Sequence, residues 1–227
     1  MDVILETLRR IPLFADLEPD LLRSLSEVCD IRTYAKRDYI CRADEHAHML
    51  FCLLEGLVQL GLTHADGKET GLLLLEPGQW FGELALLDGR YQPASIMALE
   101  ESRAMVLPRG PFLRLVQEDH GLALGMLTVS QRRLYHILEH IKRVQSGTPY
   151  QRLARILLAL AKDYGEETPE GPRIRLRLTH QVLADLSGLR RETITQTLTA
   201  FRRTNCLKVE AQRFLLTDRR RIEREAE

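Results

Sequence analysis

The segment that decides the fold is residues 179–201, THQVLADLSGLRRETITQTLTAF. Thr179 is a typical N-cap residue, and the apolar residues that follow it up to Leu186 fall at helical spacing. Gly188 can take the left-handed conformation that a tight turn between two helices needs. A second helix from about residue 190 to 204 is indicated by three apolar residues on one face: Ile194, Leu198 and Phe201. The segment therefore predicts two helices joined by a glycine turn.

The beginning of each of these helices carries side chains that can contact nucleic acid. Arg can donate to O6 and N7 of guanine, Gln can pair with adenine, and Glu can accept from N4 of cytosine. The N-terminal end of a recognition helix is the part that enters the major groove. The candidate DNA-binding residues are Thr179, His180, Arg190, Arg191, Glu192, Thr193, Thr195 and Gln196. This pattern predicts a helix-turn-helix that binds duplex DNA.

A small hairpin is predicted directly after the second helix. The runs 206–209 and 213–217 flank a turn at residues 210–212. Lys208 and Arg213 on this hairpin would lie near phosphates, where contacts position a protein on DNA without specifying sequence. The hairpin is the expected wing of a winged helix-turn-helix.

Charge is unevenly distributed along a chain whose net charge is zero. Residues 171–220 contain 11 Lys and Arg against 4 Asp and Glu, whereas residues 1–100 contain 9 against 17. A basic surplus favours polyanion binding, so the two ends of the chain are expected to have separate functions.

Residues 30–107 have a different pattern, with short apolar runs that alternate with polar residues. Turn pairs separate these runs: Glu55-Gly56, Asp66-Gly67, Pro77-Gly78 and Asp88-Gly89. Many short strands at regular spacing with glycine turns indicate an all-β barrel or roll. Apolar residues at helical spacing precede it, from Ile4 to Leu25.

A helical pattern resumes after Pro108 and continues to about residue 145. It includes apolar residues at heptad spacing, as in a coiled-coil seam. The predicted dimer interface consists of Leu127, Leu134, Ile137, Ile141 and Val144. The alternative is a helix packed only on its own domain, which charged flanks such as Arg132 and Arg133 disfavour. Residues 146–149, SGTP, predict a hinge at the end of the helix.

Beyond the hinge, the sequence predicts an amphipathic helix, a polar loop over residues 165–171 and a strand-like run over residues 173–178. The fold class is therefore α+β, in three parts. A β-roll sensor domain is expected at 1–108, a dimerisation helix and hinge at 109–147, and a winged helix-turn-helix at 148–227.

Several function classes are disfavoured by what the sequence lacks. The four cysteines lie too far apart for a CxxC pair or a zinc ribbon, and reduced, buried thiols are expected. No catalytic triad, P-loop, paired-carboxylate motif or metal-ligand cluster is visible, so neither an enzyme nor a metal site is predicted. No run of eighteen apolar residues and no signal-peptide pattern occurs, so a cytoplasmic protein without a membrane partner is expected.

Three motifs in a fixed order resemble those of one bacterial family. Residues 77–88, PGQWFGELALLD, are similar to the phosphate-binding cassette of the family of the cAMP receptor protein and the fumarate-nitrate regulator. Residues 188–194, GLRRETI, resemble its G-x-x-R-E-T recognition helix, and the helix that ends at Gly147 resembles its dimer helix. The resemblance covers nearly the whole chain. It implies a homodimeric transcription regulator that binds a pseudo-palindromic operator in double-stranded DNA and contacts RNA polymerase.

The resemblance also implies an effector pocket in the β-roll. Its candidate residues are Gly82, Glu83, Leu84, Ala85, Arg90, Gln92, Ile137 and Leu138. In the family, backbone N–H groups of the cassette bind a phosphate, as from Gly82 onward here, and the carboxylate aligned with Glu83 accepts from a ribose hydroxyl. Members that bind cAMP supply an Arg-Ser pair where this chain has Gln92-Pro93, and small hydroxyl residues where it has Ile137 and Leu138. We therefore expect that cAMP is not the effector.

Other possibilities for regulation stay open at this point. The pocket could bind another small molecule as effector. Alternatively, Arg90 could replace the missing arginine, so that the pocket binds a cyclic nucleotide. No cofactor is predicted. A ligand-independent regulator controlled by its abundance is a further alternative. A regulatory subunit of a kinase or channel would share the β-roll but would not need the helix-turn-helix. Gln196 stands where the family often has Arg, so the preferred half-site is expected to differ from that of the cAMP receptor protein.

Overall fold

The computed structural model describes residues 2–15, 17–64 and 69–227, and the predicted turn at Asp66-Gly67 lies outside these residues. The chain folds into two compact units, one up to His136 and one from Ile137 onward. The division falls within the longest helix. The functional boundaries expected at residues 108 and 147 remain predictions.

The first unit is a β-roll with helices before and after it. Its helices are α1 (Asp2–Arg10), α2 (Pro19–Val28), α3 (Glu83–Asp88), α4 (Arg109–Glu118) and the first part of α5 (His120–Gln145). Its strands are β1 (Asp30–Tyr34), β2 (Tyr39–Cys41), β3 (Met49–Glu55), β4 (Val58–Thr63), β5 (Glu69–Leu75), β6 (Trp80–Phe81), β7 (Ser95–Ala98) and β8 (Ser102–Pro108). The predicted α+β fold with an N-terminal β-roll is thereby confirmed.

The strands of the roll form two antiparallel sheets, with the orders β1-β8-β3-β6 and β2-β7-β4-β5. A cluster of buried side chains packs within the roll, including Leu53, Val58 and Val106. The rings of Phe51 and Phe81 stack with their centroids 5.3 Å apart. This core fixes β6, and β6 leads directly into the glycine turn before α3.

The second unit begins within α5 and contains the helix-turn-helix. Its helices are α6 (Pro149–Tyr164), α7 (His180–Ser187), α8 (Arg191–Arg203) and α9 (Arg219–Ala226). Its strands are β9 (Gly165–Thr168), β10 (Gly171–Ile174), β11 (Leu207–Glu210) and β12 (Arg213–Leu216), in the sheet order β11-β12-β10-β9. The predicted hairpin after the second helix is present as β11 and β12.

The prediction of a polar loop over residues 165–171 is wrong for most of that segment. Residues 165–168 form β9 and pair with β10 in an antiparallel hairpin. The opposed side chains of Glu166 and Arg173 form an ion pair of 2.6 Å, and the Thr168 hydroxyl donates to the Gly171 carbonyl at 2.6 Å. Cross-strand charge pairing therefore stabilises a strand that has no apolar alternation.

One face of α5 is apolar and exposed. Five large side chains are between 44% and 67% exposed: Leu124, Leu127, Leu134, Leu138 and Ile141. Ile137 and Val144, which the heptad pattern also assigned to a dimer interface, are half-buried. We call the five exposed residues the α5 stripe.

Among the residues that the structure describes, no helix is long and apolar enough to cross a membrane. The same residues contain no group of three or more His, Cys, Asp or Glu side chains that could hold a metal ion. The four cysteines are unpaired and buried, as expected.

Candidate nucleic-acid interface and effector pocket

The turn between α7 and α8 has the local geometry that the sequence predicts. The Thr179 hydroxyl accepts a hydrogen bond from the backbone N–H of Val182 at 3.2 Å, which caps α7. Gly188 has a φ of 63° and its N–H donates to the Ala184 carbonyl, so it ends α7 in the left-handed conformation. Arg190 is extended and precedes α8. The start of α8 is thereby held in a defined orientation relative to α7.

The predicted base-reading side chains lie together at the start of α8. Ile194, Leu198 and Phe201 are buried on its inner face. The exposed residues on the outer face are Arg190, Arg191, Glu192, Thr195 and Gln196, and Thr193 is half-buried. The side chains of Arg190 and Arg191 make no hydrogen bond or ion pair with any described residue. Their guanidinium groups are therefore free to bind an external acceptor.

His180 and Thr195 connect the starts of the two helices. The His180 Nδ1 and the Thr195 hydroxyl lie 2.9 Å apart, and that hydroxyl also donates to the Arg191 carbonyl at 3.1 Å. These two candidate DNA-binding residues are thus partly engaged with each other. Their contact holds the beginning of α7 against the outer face of α8.

The two candidate residues of the wing, Lys208 and Arg213, are less free to bind an external group than the arginines at the start of α8. The Lys208 ammonium forms an ion pair with the carboxylate of Glu170, which follows β9. That carboxylate raises the pKa of Lys208 through a hydrogen bond and its charge. Arg213 is half-buried, and its Nε has no partner among the described residues. Glu170 was not predicted, because it lies 38 positions before Lys208 and only the β9–β10 hairpin brings it close.

The cassette is built around Gly82 and Glu83. Gly82 has a φ of 93° immediately before α3. The Glu83 side chain is 3% exposed and one of its oxygens accepts from Arg133 Nη1 at 2.9 Å. Arg133 also donates to the Trp80 carbonyl, and its guanidinium lies 4.8 Å from the centroid of the Trp80 ring. Burial raises the pKa of Glu83, and the charge of Arg133 opposes part of that rise.

The sequence did not single out Arg133 as a pocket residue. The heptad pattern predicts that Arg133 is a solvated flank of α5, but its side chain is only 13% exposed. An arginine beside a heptad seam is usually solvated, and the 50 residues between Glu83 and Arg133 leave no local signal for the pair. The first part of α5 therefore supplies a cation to the cassette.

Of the remaining candidate pocket residues in the first unit, two are buried and two are exposed. Gln92 is buried, and its Nε2 donates to the Gly82 carbonyl at 3.1 Å. Arg90 is 83% exposed and pairs with Asp88 at 3.2 Å. Ala85 is buried and Leu84 is half exposed. Ile137 and Leu138 belong to the second unit.

Comparisons with known proteins match both parts of the chain. The cyclic nucleotide-binding domain family matches residues 31–119, and the Crp-like helix-turn-helix domain family matches residues 151–225. The chain is 30% identical over 189 residues to the "Cyclic AMP receptor protein" of Thermus thermophilus, over 83% of this chain and 84% of the relative. It is 25% identical over 221 residues to a "CRP-like cAMP-activated global transcriptional regulator" of Mycobacterium tuberculosis, over 97% and 99% of the two chains.

A solved structure gives the same result. A CRP-family transcriptional regulator from Thermus thermophilus superposes with a TM-score of 0.71 at 27% identity, over 86% of this chain and 96% of that chain. These relatives are transcription regulators, which confirms the prediction that the chain is not an enzyme.

Proposed function

Because this chain belongs to the family of the cAMP receptor protein and the fumarate-nitrate regulator, we propose that it binds a pseudo-palindromic operator as a homodimer. It is a transcription regulator with a helix-turn-helix DNA-binding domain. The observation that carries the proposal is the start of α8, where Arg190 and Arg191 are exposed and unengaged beside a fixed turn. In this proposal the first turns of α8 enter the major groove, and Lys208 and Arg213 approach phosphates.

The α5 stripe supports the homodimer. A row of large apolar side chains at intervals of three, four or seven residues is typical of a helix that packs on a second helix. A two-fold axis through α5 would place two copies of α8 in successive major grooves on one side of the duplex. We also propose that RNA polymerase is a partner in transcription. The proposed functional parts are a sensor domain at 1–108, a dimerisation helix and hinge at 109–147, and a DNA-binding domain at 148–227.

We propose further that cAMP is not the effector. Where relatives that bind cAMP have an arginine, the amide of Gln92 is buried and donates to the Gly82 carbonyl. Gln92 has no charge to offer a phosphate. Arg90, the alternative cation, points its exposed side chain to Asp88. Ile137 and Leu138 cannot hydrogen bond the adenine amine, and leaving such a group unpaired costs about 1 to 3 kcal/mol.

DNA binding is tested by selecting sequences from a random duplex library with the purified protein and measuring affinity by fluorescence anisotropy. We expect a selected site with two-fold symmetry. Arg191→Ala should weaken specific binding by roughly 5-fold to 150-fold, as expected for the loss of a bidentate base contact. Arg203→Ala, at the other end of α8, is the matched control and should have a smaller effect. An unchanged affinity for Arg191→Ala, or selection of sites without symmetry, would refute the proposal.

The effector proposal is tested by titrating the full-length protein with cAMP and cGMP in a calorimeter. We expect no heat of binding for either nucleotide at concentrations up to the millimolar range. Binding that Arg90→Gln abolishes would instead support the alternative in which Arg90 holds a cyclic phosphate.

A further inference from the structure

A cavity lies in the first unit, beside the first half of α5, and includes the beginning of the cassette at Gly78, Gln79 and Trp80. Its volume is about 670 Å³, which is within the range of small-molecule sites. Its wall comes from three places, namely residues 12, 13 and 17 after α1, residues 78–80 at the start of β6, and α5 with the residue before it. The residues that line it are Pro12, Leu13, Leu17, Gly78, Gln79, Trp80, Asp119, Gly121, Leu122, Gly125, Val129, Arg132, Arg133 and His136. Of the residues proposed above for the effector pocket, none is among them.

The chemistry of this wall is apolar with a cationic end. Among the described residues of the wall, Asp119 is the one with a carboxylate, and that group already accepts from the N–H of Leu122 at 2.7 Å. Arg133 is engaged by Glu83 and Trp80. The side chains of Arg132 and His136, one helical turn apart, form no hydrogen bond or ion pair with the described residues. The donors that remain available are therefore cationic or neutral, and no free carboxylate of the described lining residues competes for them.

Gly125 gives an independent indication that the cavity is kept open. A Cβ atom at this position would meet nothing within 4 Å. A glycine within a helix costs roughly 1 kcal/mol relative to alanine, and here no close packing requires it. Gly125 lies nine positions, or about two and a half turns, before Leu134, and so it faces away from the α5 stripe. A dimer formed through the stripe would not need this glycine.

We propose that this cavity binds a small organic acid with an apolar chain or ring. Its carboxylate accepts hydrogen bonds from Arg132, with His136 as a second donor, because a guanidinium matches a carboxylate in geometry and charge. Its apolar body contacts Leu13, Leu17, Leu122 and Val129 in the space that Gly125 leaves. The inference concerns ligand binding within the first unit, and it does not depend on the operator or on the identity of any effector in the cassette.

Trp80 makes the test direct, because it is the single tryptophan of the chain and lines the cavity. Intrinsic fluorescence of the full-length protein is followed during titration with sodium octanoate and sodium phenylacetate, and calorimetry confirms each affinity. We expect saturable binding of at least one acid. The neutral octanamide and phenylacetamide should bind about tenfold more weakly or worse, since they lack the charge that Arg132 recognises.

Two variants separate the parts of the proposal. Arg132→Gln should reduce acid affinity about tenfold and leave amide affinity unchanged, whereas Arg114→Gln, an exposed arginine of α4 outside the cavity, should change neither. Gly125→Leu should abolish binding of both and raise thermal stability, which shows that the variant folds. The proposal is overturned if neither acid binds at millimolar concentration, if acid and amide bind equally, or if Gly125→Leu binds as well as the parent. Operator binding measured in parallel reports on the proposed function separately.

Discussion

Glu83 and Arg133 form an ion pair that is largely buried. Both side chains are largely withdrawn from water, at 3% and 13% exposure. Arg133→Gln leaves the buried Glu83 carboxylate without its cation, in a position where burial already raises its pKa. We expect the free energy of unfolding, measured with urea, to fall by about 3 kcal/mol. Glu55→Gln breaks the exposed pair with Arg103 and should cost less than about 1 kcal/mol. Equal losses of stability in the two variants would show that burial does not determine how much the Glu83–Arg133 pair contributes.

The three buried thiols with raised pKa values should make the free energy of unfolding depend on pH. Desolvation raises the pKa of Cys29, Cys41 and Cys52 to about 12. Between the ordinary thiol pKa and about 12, the folded chain keeps protons that the unfolded chain loses. The free energy of unfolding should therefore fall as the pH rises, by about 1.4 kcal/mol per pH unit for each thiol. Cys52→Ser removes one of these groups, so its urea-derived stability should decline less steeply than that of the parent between about pH 8 and pH 10. Parallel curves for the two proteins would contradict the assignment.

At the scale of elements, Gly188 sets the angle between α7 and α8. Its φ is 63°, and a Cβ there would meet no atom within 4 Å, so the cost of a side chain is conformational and not steric with neighbours. Gly188→Ala should lower the free energy of unfolding by about 1 to 2 kcal/mol. Gly188→Asn should cost less, because asparagine tolerates the left-handed region. Thermal unfolding of the two variants checks the order, and an alanine variant as stable as the asparagine one would contradict it.

The elements also show which features could be predicted from sequence. The Thr179 cap, the Gly188 turn and the inner face of α8 depend on residues within a few positions of one another, and local patterns are sufficient for them. The β9 strand depends on pairing with β10, and its polar sequence resembles a loop. The ion pairs of Arg133 with Glu83 and Lys208 with Glu170 join positions far apart in the chain. Such contacts follow from the tertiary fold, and residue type alone gives no sign of them.

For the whole molecule, we predict that dimerisation through the α5 stripe controls how tightly the two copies of α8 bind the operator. If two copies associate through the stripe, Leu134→Glu places a charge on each side of the seam and should shift the protein to a monomer in sedimentation velocity. Operator affinity should fall in the same variant although α8 is unchanged, because binding at one half-site no longer assists binding at the other. Val28→Glu, which adds the same charge at a side chain 40% exposed on α2, is the control and should alter neither property. A dimeric Leu134→Glu protein, or a monomer that binds the full operator as tightly as the parent, would separate dimerisation from DNA binding. If one substitution in the α5 stripe weakens both dimerisation and operator binding, then tight operator binding requires both copies of α8.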